Sequence, residues 1–309
     1  MVCGAVRGAD GGPGAGSVFL PPSVRRGGPA RRGISFGMPR AIVIRAEGIN
    51  CDEEMVRAFR LAGADAEPVH LDRLARDPRR LDEADLIGFP GGFSYGDDIA
   101  SGRIMGARVR EALWPELRGA AGRGCAMLGI CNGFQVMIQA GLLPGGDGRG
   151  RNHGGDAPHP SPPPPPSLAL CDNISGHYED RWVGVEPELT SPCIWTRGLA
   201  QLDESVRMLP VGHGEGRLIF ESPAALERLE AGGQIALRYR DNFNGSEGAV
   251  AGVCDPSGRI FGLMPHPDRF LDWTRHPFWT RLDPQRRAGA APGLAMFRSA
   301  VEAVAAAAV

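Results

Sequence analysis

The segment Met127-Leu128-Gly129-Ile130-Cys131-Asn132-Gly133-Phe134-Gln135 places the tightest constraint on the fold of this chain. An apolar run meets a cysteine that has a glycine two residues before it and another two after, and helix-forming residues follow. A strand over 125–130 that turns sharply at Cys131 into a helix is a nucleophile elbow. Small flanking residues let the backbone take the strained turn that exposes the sulfur. The thiol then stands at a helix N-terminus, where backbone amides and the positive end of the dipole favour the thiolate. The amide of Asn132 remains as a donor for an oxyanion. Taken alone, Cys131 also fits a small buried core residue, because free cysteine is among the most buried residue types.

A second element far down the chain turns the balance towards chemistry. In Gly262-Leu263-Met264-Pro265-His266-Pro267-Asp268-Arg269, a histidine comes directly after an expected strand over 259–264, and a carboxylate stands two residues beyond it. Prolines on both sides restrict the backbone around the imidazole. Cysteine, histidine and carboxylate can serve as nucleophile, base and orienting group. The imidazole takes the thiol proton while the acid fixes its tautomer.

The rest of the sequence supplies a frame for the two elements. Apolar strands are expected over 41–45, 68–71, 84–89 and 125–130. Between them come a helix that Asp52 caps and Gly63 ends, and a second helix over 102–118. Such alternation predicts a mainly parallel sheet flanked by helices, with the site at the carboxyl ends of the strands. The second half is richer in β structure. Strands are expected over 168–170, 181–185, 193–196, 207–211, 217–221, 234–239, 249–254 and 259–264, and a closing helix over 292–308.

Two segments break the globular pattern. Residues 1–37 are rich in Gly, Pro and Arg and nearly free of acids, and this density of glycine and proline prevents the amphipathic helix of a transit peptide. A disordered tail, or a start placed upstream of Met38, is the reading. Residues 145–167 hold the run Pro162 to Pro166 and are expected to form a solvated, semi-rigid insertion. His153 and His159 within it have no partners at metal-ligand spacing, and no metal site is assigned. One domain over 38–309 is therefore expected.

A formal net charge of −2 over 309 residues gives no reason to expect nucleic acid or an anionic membrane as partner. Seven cysteines without a C-x-x-C pair fit a reducing, cytoplasmic setting. No apolar run nears the ~18 residues needed to span a bilayer.

C-x-G-x-Q at 131–135 with H-P-D at 266–268 resembles the triad-type class I glutamine amidotransferases, whose fold is flavodoxin-like. Three further segments narrow the resemblance. Gly48-Ile49-Asn50-Cys51-Asp52, Phe89-Pro90-Gly91-Gly92-Phe93-Ser94-Tyr95-Gly96-Asp97-Asp98 and His213-Gly214-Glu215-Gly216-Arg217 are similar to the glutaminase subunits of phosphoribosylformylglycinamidine synthase, of purine biosynthesis. The resemblance spans roughly residues 39 to 307, broken by the insertion. It implies that Cys131 attacks the side-chain amide of glutamine, with His266 as base and Asp268 as orienting acid. It further implies an oxyanion hole from the amides of Gly92 and Asn132, and a substrate pocket involving Gln135, Gly133 and Phe93. Asp268 departs from the family, which usually has glutamate there, and its carboxylate is one methylene shorter.

For His213 and Glu215 two readings stand, a role near the synthetase-facing surface or a plain strand-end turn. Tyr95, Asp97 and Asp98 share that status, and Cys51 is read as structural. The resemblance implies no cofactor in this chain. ATP and magnesium belong to a separate synthetase subunit that aminates formylglycinamide ribonucleotide, and a small bridging subunit joins the two. Nothing resembles a phosphate-binding loop or a synthetase domain, so the chain itself cannot activate an acceptor. A glutaminase that serves another acceptor and a non-catalytic regulatory homologue are the alternatives.

Overall fold

The structure, a computed structural model, describes residues 37–145 and 167–307. Apart from Gly37, Gly145 and Ser167, the tail expected over 1–37 and the insertion expected over 145–167 lie outside the described residues.

In chain order the elements are β1 (Arg40–Arg45), α1 (Asp52–Leu61), β2 (Asp65–His70), α2 (Leu71–Arg76), β3 (Leu86–Phe89), α3 (Arg103–Gly122), β4 (Ala126–Ile130) and α4 (Asn132–Ala140). There follow β5 (Leu168–Cys171), β6 (Glu179–Pro187), α5 (Arg197–Ala200), β7 (Met208–His213), β8 (Arg217–Phe220), α6 (Pro223–Ala231), β9 (Ile235–Tyr239), β10 (Val250–Cys254), β11 (Ile260–Leu263) and α7 (Pro292–Ala307). Consecutive residues Ala41 to Ile44 are all fully buried, and every residue of β3, β4 and β11 is buried. Successive strand residues point to opposite faces, so both faces of the sheet are covered there, as a parallel sheet requires.

Nine strands form one sheet in the order β2-β1-β3-β4-β11-β10-β9-β6-β7. From β2 to β11 the neighbours are parallel; from β11 to β7 they are antiparallel. The β structure of the second half thus extends the same sheet, and only β5 and β8 form a separate pair. Register aligns Phe89 with Gly129, and Ile130 with Leu263. The loops after β3, β4 and β11 therefore leave the sheet side by side. Helix α3 packs on α4, and α1 packs with α7, where Phe59 meets Phe297 edge-on at 5.1 Å.

Two local expectations are corrected. The strand expected over 193–196 is a turn leading into α5. Its apolar residues are buried by packing, with Trp195 against Phe59 and Phe297, and Trp195 Nε1 donates to the Arg259 carbonyl at 2.9 Å. Asp52 does not cap α1. It is the first helical residue, makes no capping bond, and its carboxylate meets Arg45 at 3.3 Å. With Glu53 and Glu54 it places three acids in the first turn, where the helix dipole favours them.

Candidate active site

Between β4 and α4, Cys131 has φ +52° and ψ −111°, a left-handed conformation that a side chain resists. The flanking glycines make that turn sterically feasible. A Cβ on Gly133 would stand 1.8 Å from the Phe89 carbonyl oxygen, and one on Gly129 would stand 2.4 Å from Met137 Sδ. Gly133 thus appears in the structure as a packing position, pressed on β3. The thiol is 6% exposed and donates to the Gly212 carbonyl at 3.6 Å. Asn132 opens α4, so its N–H has no carbonyl within the helix to bond.

The loop after β3 runs beside this turn. Gly91 and Gly92 lie against the β1–α1 loop: the amides of Asn50 and Cys51 donate to the Gly91 carbonyl, and Gly92 bridges to Ile49. Gly92 has φ +144°, with no room for a Cβ, which would stand 2.7 Å from the Ile49 Cα. Phe93, next in the loop, is 45% exposed, and its ring lies 6.4 Å from that of Tyr178.

His266 follows β11, and its amide donates to the Pro210 carbonyl at 2.8 Å. Its Nδ1 stands 3.2 Å from Asp268 Oδ1, with both side chains buried. Burial alone would lower the imidazole pKa. The Asp268 charge and hydrogen bond, with further hydrogen bonds to Cys131 and Cys51, outweigh it and hold His266 well above the ordinary histidine value. With Nδ1 committed to Asp268, Nε2 is the nitrogen left for a thiol proton. The second Asp268 oxygen, Oδ2, is buried with no hydrogen-bond partner among the described residues.

A polar network ties the elbow to the glycine loop. Asn132 Oδ1 accepts from the Ser94 amide at 3.1 Å, and its Nδ2 donates to Asp97 Oδ1 at 2.9 Å and to Gln135 Oε1 at 3.0 Å. Gln135 Nε2 donates to the Glu215 carbonyl at 2.6 Å, and the Ser101 amide donates to the Glu215 carboxylate at 3.3 Å. Burial raises the Asp97 carboxyl pKa against the hydrogen bonds it accepts.

These contacts draw the segment 213–217 to the site's wall. His213 is 3% exposed; its Nδ1 pairs with Asn173 Oδ1 at 3.0 Å, so the ring does not face a partner surface. Burial, aided by the His266 charge, pushes its pKa down to about 4. Glu215 is half-buried. Tyr178 and Asn173 escaped the sequence reading altogether, as did Gly212, because each is brought in by a sheet edge that no local pattern announces. Cys51, read as structural, lies near the base: Arg269 Nη2 donates to its sulfur at 3.0 Å, and donor atoms of Cys51, His266 and Asp268 all lie within 4.8 Å of one another.

The fold and the sequence match known proteins of one class. Residues 38–304 match the model of the CobB/CobQ-like glutamine amidotransferase domain. The chain belongs to that family and is a glutamine amidotransferase by fold and sequence. Among its relatives, the phosphoribosylformylglycinamidine synthase subunit PurQ of Dehalococcoides mccartyi is 37% identical, over 78% of this chain and 89% of its own. The PurQ subunit of Archaeoglobus fulgidus is also 37% identical, over 85% and 96%. A solved structure of PurLQS from Thermotoga maritima superposes with a TM-score of 0.62 at 29% identity, covering 86% of this chain and 99% of that one. Within its class, the chain groups with the PurQ subunits. No helix among the described residues is long and apolar enough to cross a membrane.

Proposed function

We propose that this chain is the glutaminase subunit of a phosphoribosylformylglycinamidine synthase, and that it works in the cytosol. The observation that carries the mechanism is the strained Cys131 elbow after β4, with the buried His266–Asp268 pair in the segment that follows the adjacent strand β11. His266 Nε2 takes the Cys131 proton, and the sulfur attacks the side-chain carbonyl carbon of glutamine. The amides of Asn132 and Gly92 hold the oxyanion, and Gln135 and Phe93 lie beside the space for the amino acid. As the tetrahedral intermediate collapses, the C–N bond breaks and His266 returns the proton to the departing nitrogen. Ammonia leaves, and a glutamyl thioester remains on Cys131. Water, deprotonated by the same imidazole, then attacks the thioester and frees glutamate and the thiol. Asp268 keeps the ring in the productive tautomer and stabilises the imidazolium between steps.

The ammonia passes to a synthetase subunit that uses ATP and magnesium to form the amidine, with a small bridging subunit in the assembly. The PurQ relatives and the likeness to the PurLQS structure support this assignment of partner. The test is co-purification of the native chain, followed by assay of the complex for amidine formation from formylglycinamide ribonucleotide, ATP and glutamine. Glutamine-dependent amidine formation supports the reading. A co-purifying synthetase that aminates a different acceptor overturns it.

A further inference from the structure

Cys51 is a buried thiol beside the site that the mechanism leaves without a task. It is 1% exposed, and its amide donates to the Gly91 carbonyl. A Cβ on Gly91 would stand 2.7 Å from His266 Cε1 and 3.3 Å from Cys51 Sγ, so sulfur and imidazole flank the same small space. Sulfur, imidazole nitrogen and carboxylate oxygen gather there within 4.8 Å. Asp268 Oδ2 is buried without a hydrogen-bond partner among the described residues, so the carboxylate has an acceptor left uncommitted. A thiolate, a neutral imidazole and a carboxylate match the preference of a borderline-soft divalent ion, and their summed charge neutralises it.

We propose that Cys51, His266 and Asp268 form a site for zinc(II), and that the bound ion withdraws the base and its carboxylate from the triad. Water completes the fourth position. Asp268 and Arg269 border a cavity of about 250 Å³ that Glu54, Arg57 and Asp272 also line. Arg269 is exposed and donates one hydrogen bond to the Cys51 sulfur, which itself donates to Asn50 Oδ1 at 3.2 Å; both contacts are weak enough to yield to a metal. On metal binding, the side chain gives up the sulfur and remains near Glu54 and Asp272. Cys51 and His266 surrender any proton they hold, so affinity rises with pH.

The test measures metal binding apart from activity. Zinc affinity is read by competition with a chromophoric chelator, and cobalt(II) reports sulfur ligation through its thiolate charge-transfer absorption. The proteins are the wild-type chain, Cys131→Ala, Cys51→Ser and Asp268→Asn, each checked for folding by circular dichroism. The expectation is one ion per chain in wild type and in Cys131→Ala, with the cobalt band present in both. Affinity should fall about tenfold or more in Cys51→Ser and in Asp268→Asn, with the band lost from Cys51→Ser. Unchanged binding in Cys51→Ser overturns the proposal. So does loss of binding in Cys131→Ala, which places the ion on the nucleophile. The inhibitory consequence rests on the triad reading and is tested separately: zinc should lower kcat for glutamate formation by the assembled enzyme, and a chelator should restore it. Metal bound as described without loss of turnover leaves the site standing and counts against the roles of His266 and Asp268.

Discussion

Replacement of Asp268 by Asn and by Glu tests the orienting acid, at the position where this chain departs from its family. The His266–Asp268 separation is 3.2 Å between buried side chains. At an effective dielectric of about 20, two unit charges at that distance attract by about 5 kcal/mol. The imidazolium formed during turnover has this attraction and the asparagine variant does not. At ~1.4 kcal/mol per tenfold in rate, the loss is roughly 10³ to 10⁴ in kcat, near the ~10⁴ known for the same change in a serine-protease triad. Asn also offers its amide to Nδ1 and favours the wrong tautomer. Asp268→Glu keeps the charge and adds one methylene. Overfilling a packed site costs ~1–3 kcal/mol. Because Asp268 borders a cavity, the lower end applies and turnover should fall about fivefold. Initial rates of glutamate formation at saturating glutamine, with the synthetase partner present, should therefore fall in the order Asp, Glu, Asn. Rates for Asn within about threefold of wild type, less than the loss of one ordinary hydrogen bond, would refute the reasoning and leave His266 oriented by some other group.

Cys131→Ala should abolish glutamine-dependent activity of the complex and leave ammonia-dependent activity intact; loss of both would mean that the change damages assembly and not the nucleophile alone. Gly133→Ala should destabilise the chain by about 3 kcal/mol or more in urea unfolding, since its Cβ meets the Phe89 carbonyl oxygen at 1.8 Å. A drop under about 1 kcal/mol would mean that the elbow relaxes freely. His213 predicts a pH effect. Its folded pKa, about 4, lies below the ordinary histidine value, so the unfolded chain binds the proton first as pH falls. Its contribution is whole near neutrality and is lost between about pH 6.5 and 4, amounting to about 3 kcal/mol. Urea midpoints over that range should fall less steeply in His213→Gln than in wild type; parallel curves would count against a neutral buried ring.

Much of the site was legible because its parts are local. The elbow is a strand, a cysteine and a helix that follow one another between Ala126 and Ala140, with glycines on either side of the cysteine. The buried runs of β1, β3 and β4 announced a parallel sheet because residues covered on both faces must be apolar at every position. The segment 193–196 shows the limit of that logic: Trp195 is as buried as a strand residue but is held by packing, and composition does not distinguish the two. The antiparallel half was legible as strands but not as a continuation of the main sheet. Pairing such as Val185 with Tyr239 joins segments far apart in the chain and leaves no local mark. For the same reason nothing local signals that Arg269 reaches Cys51, or that Gly212 turns its carbonyl to the Cys131 thiol. His213 stands in a motif rich in polar residues and glycine that reads as surface, yet Asn173 folds over it.

The central claim is that glutamine passes through a covalent thioester on Cys131. Acid-quenching the assembled enzyme during steady turnover, then digesting it and analysing the peptides by mass spectrometry, tests this most directly. The account predicts a glutamyl adduct on the peptide that carries Cys131, accumulating when hydrolysis is slowed in Asp268→Asn and absent from Cys131→Ala. Steady glutamate formation with no adduct on that peptide, or with an adduct on another residue such as Cys51, would contradict it.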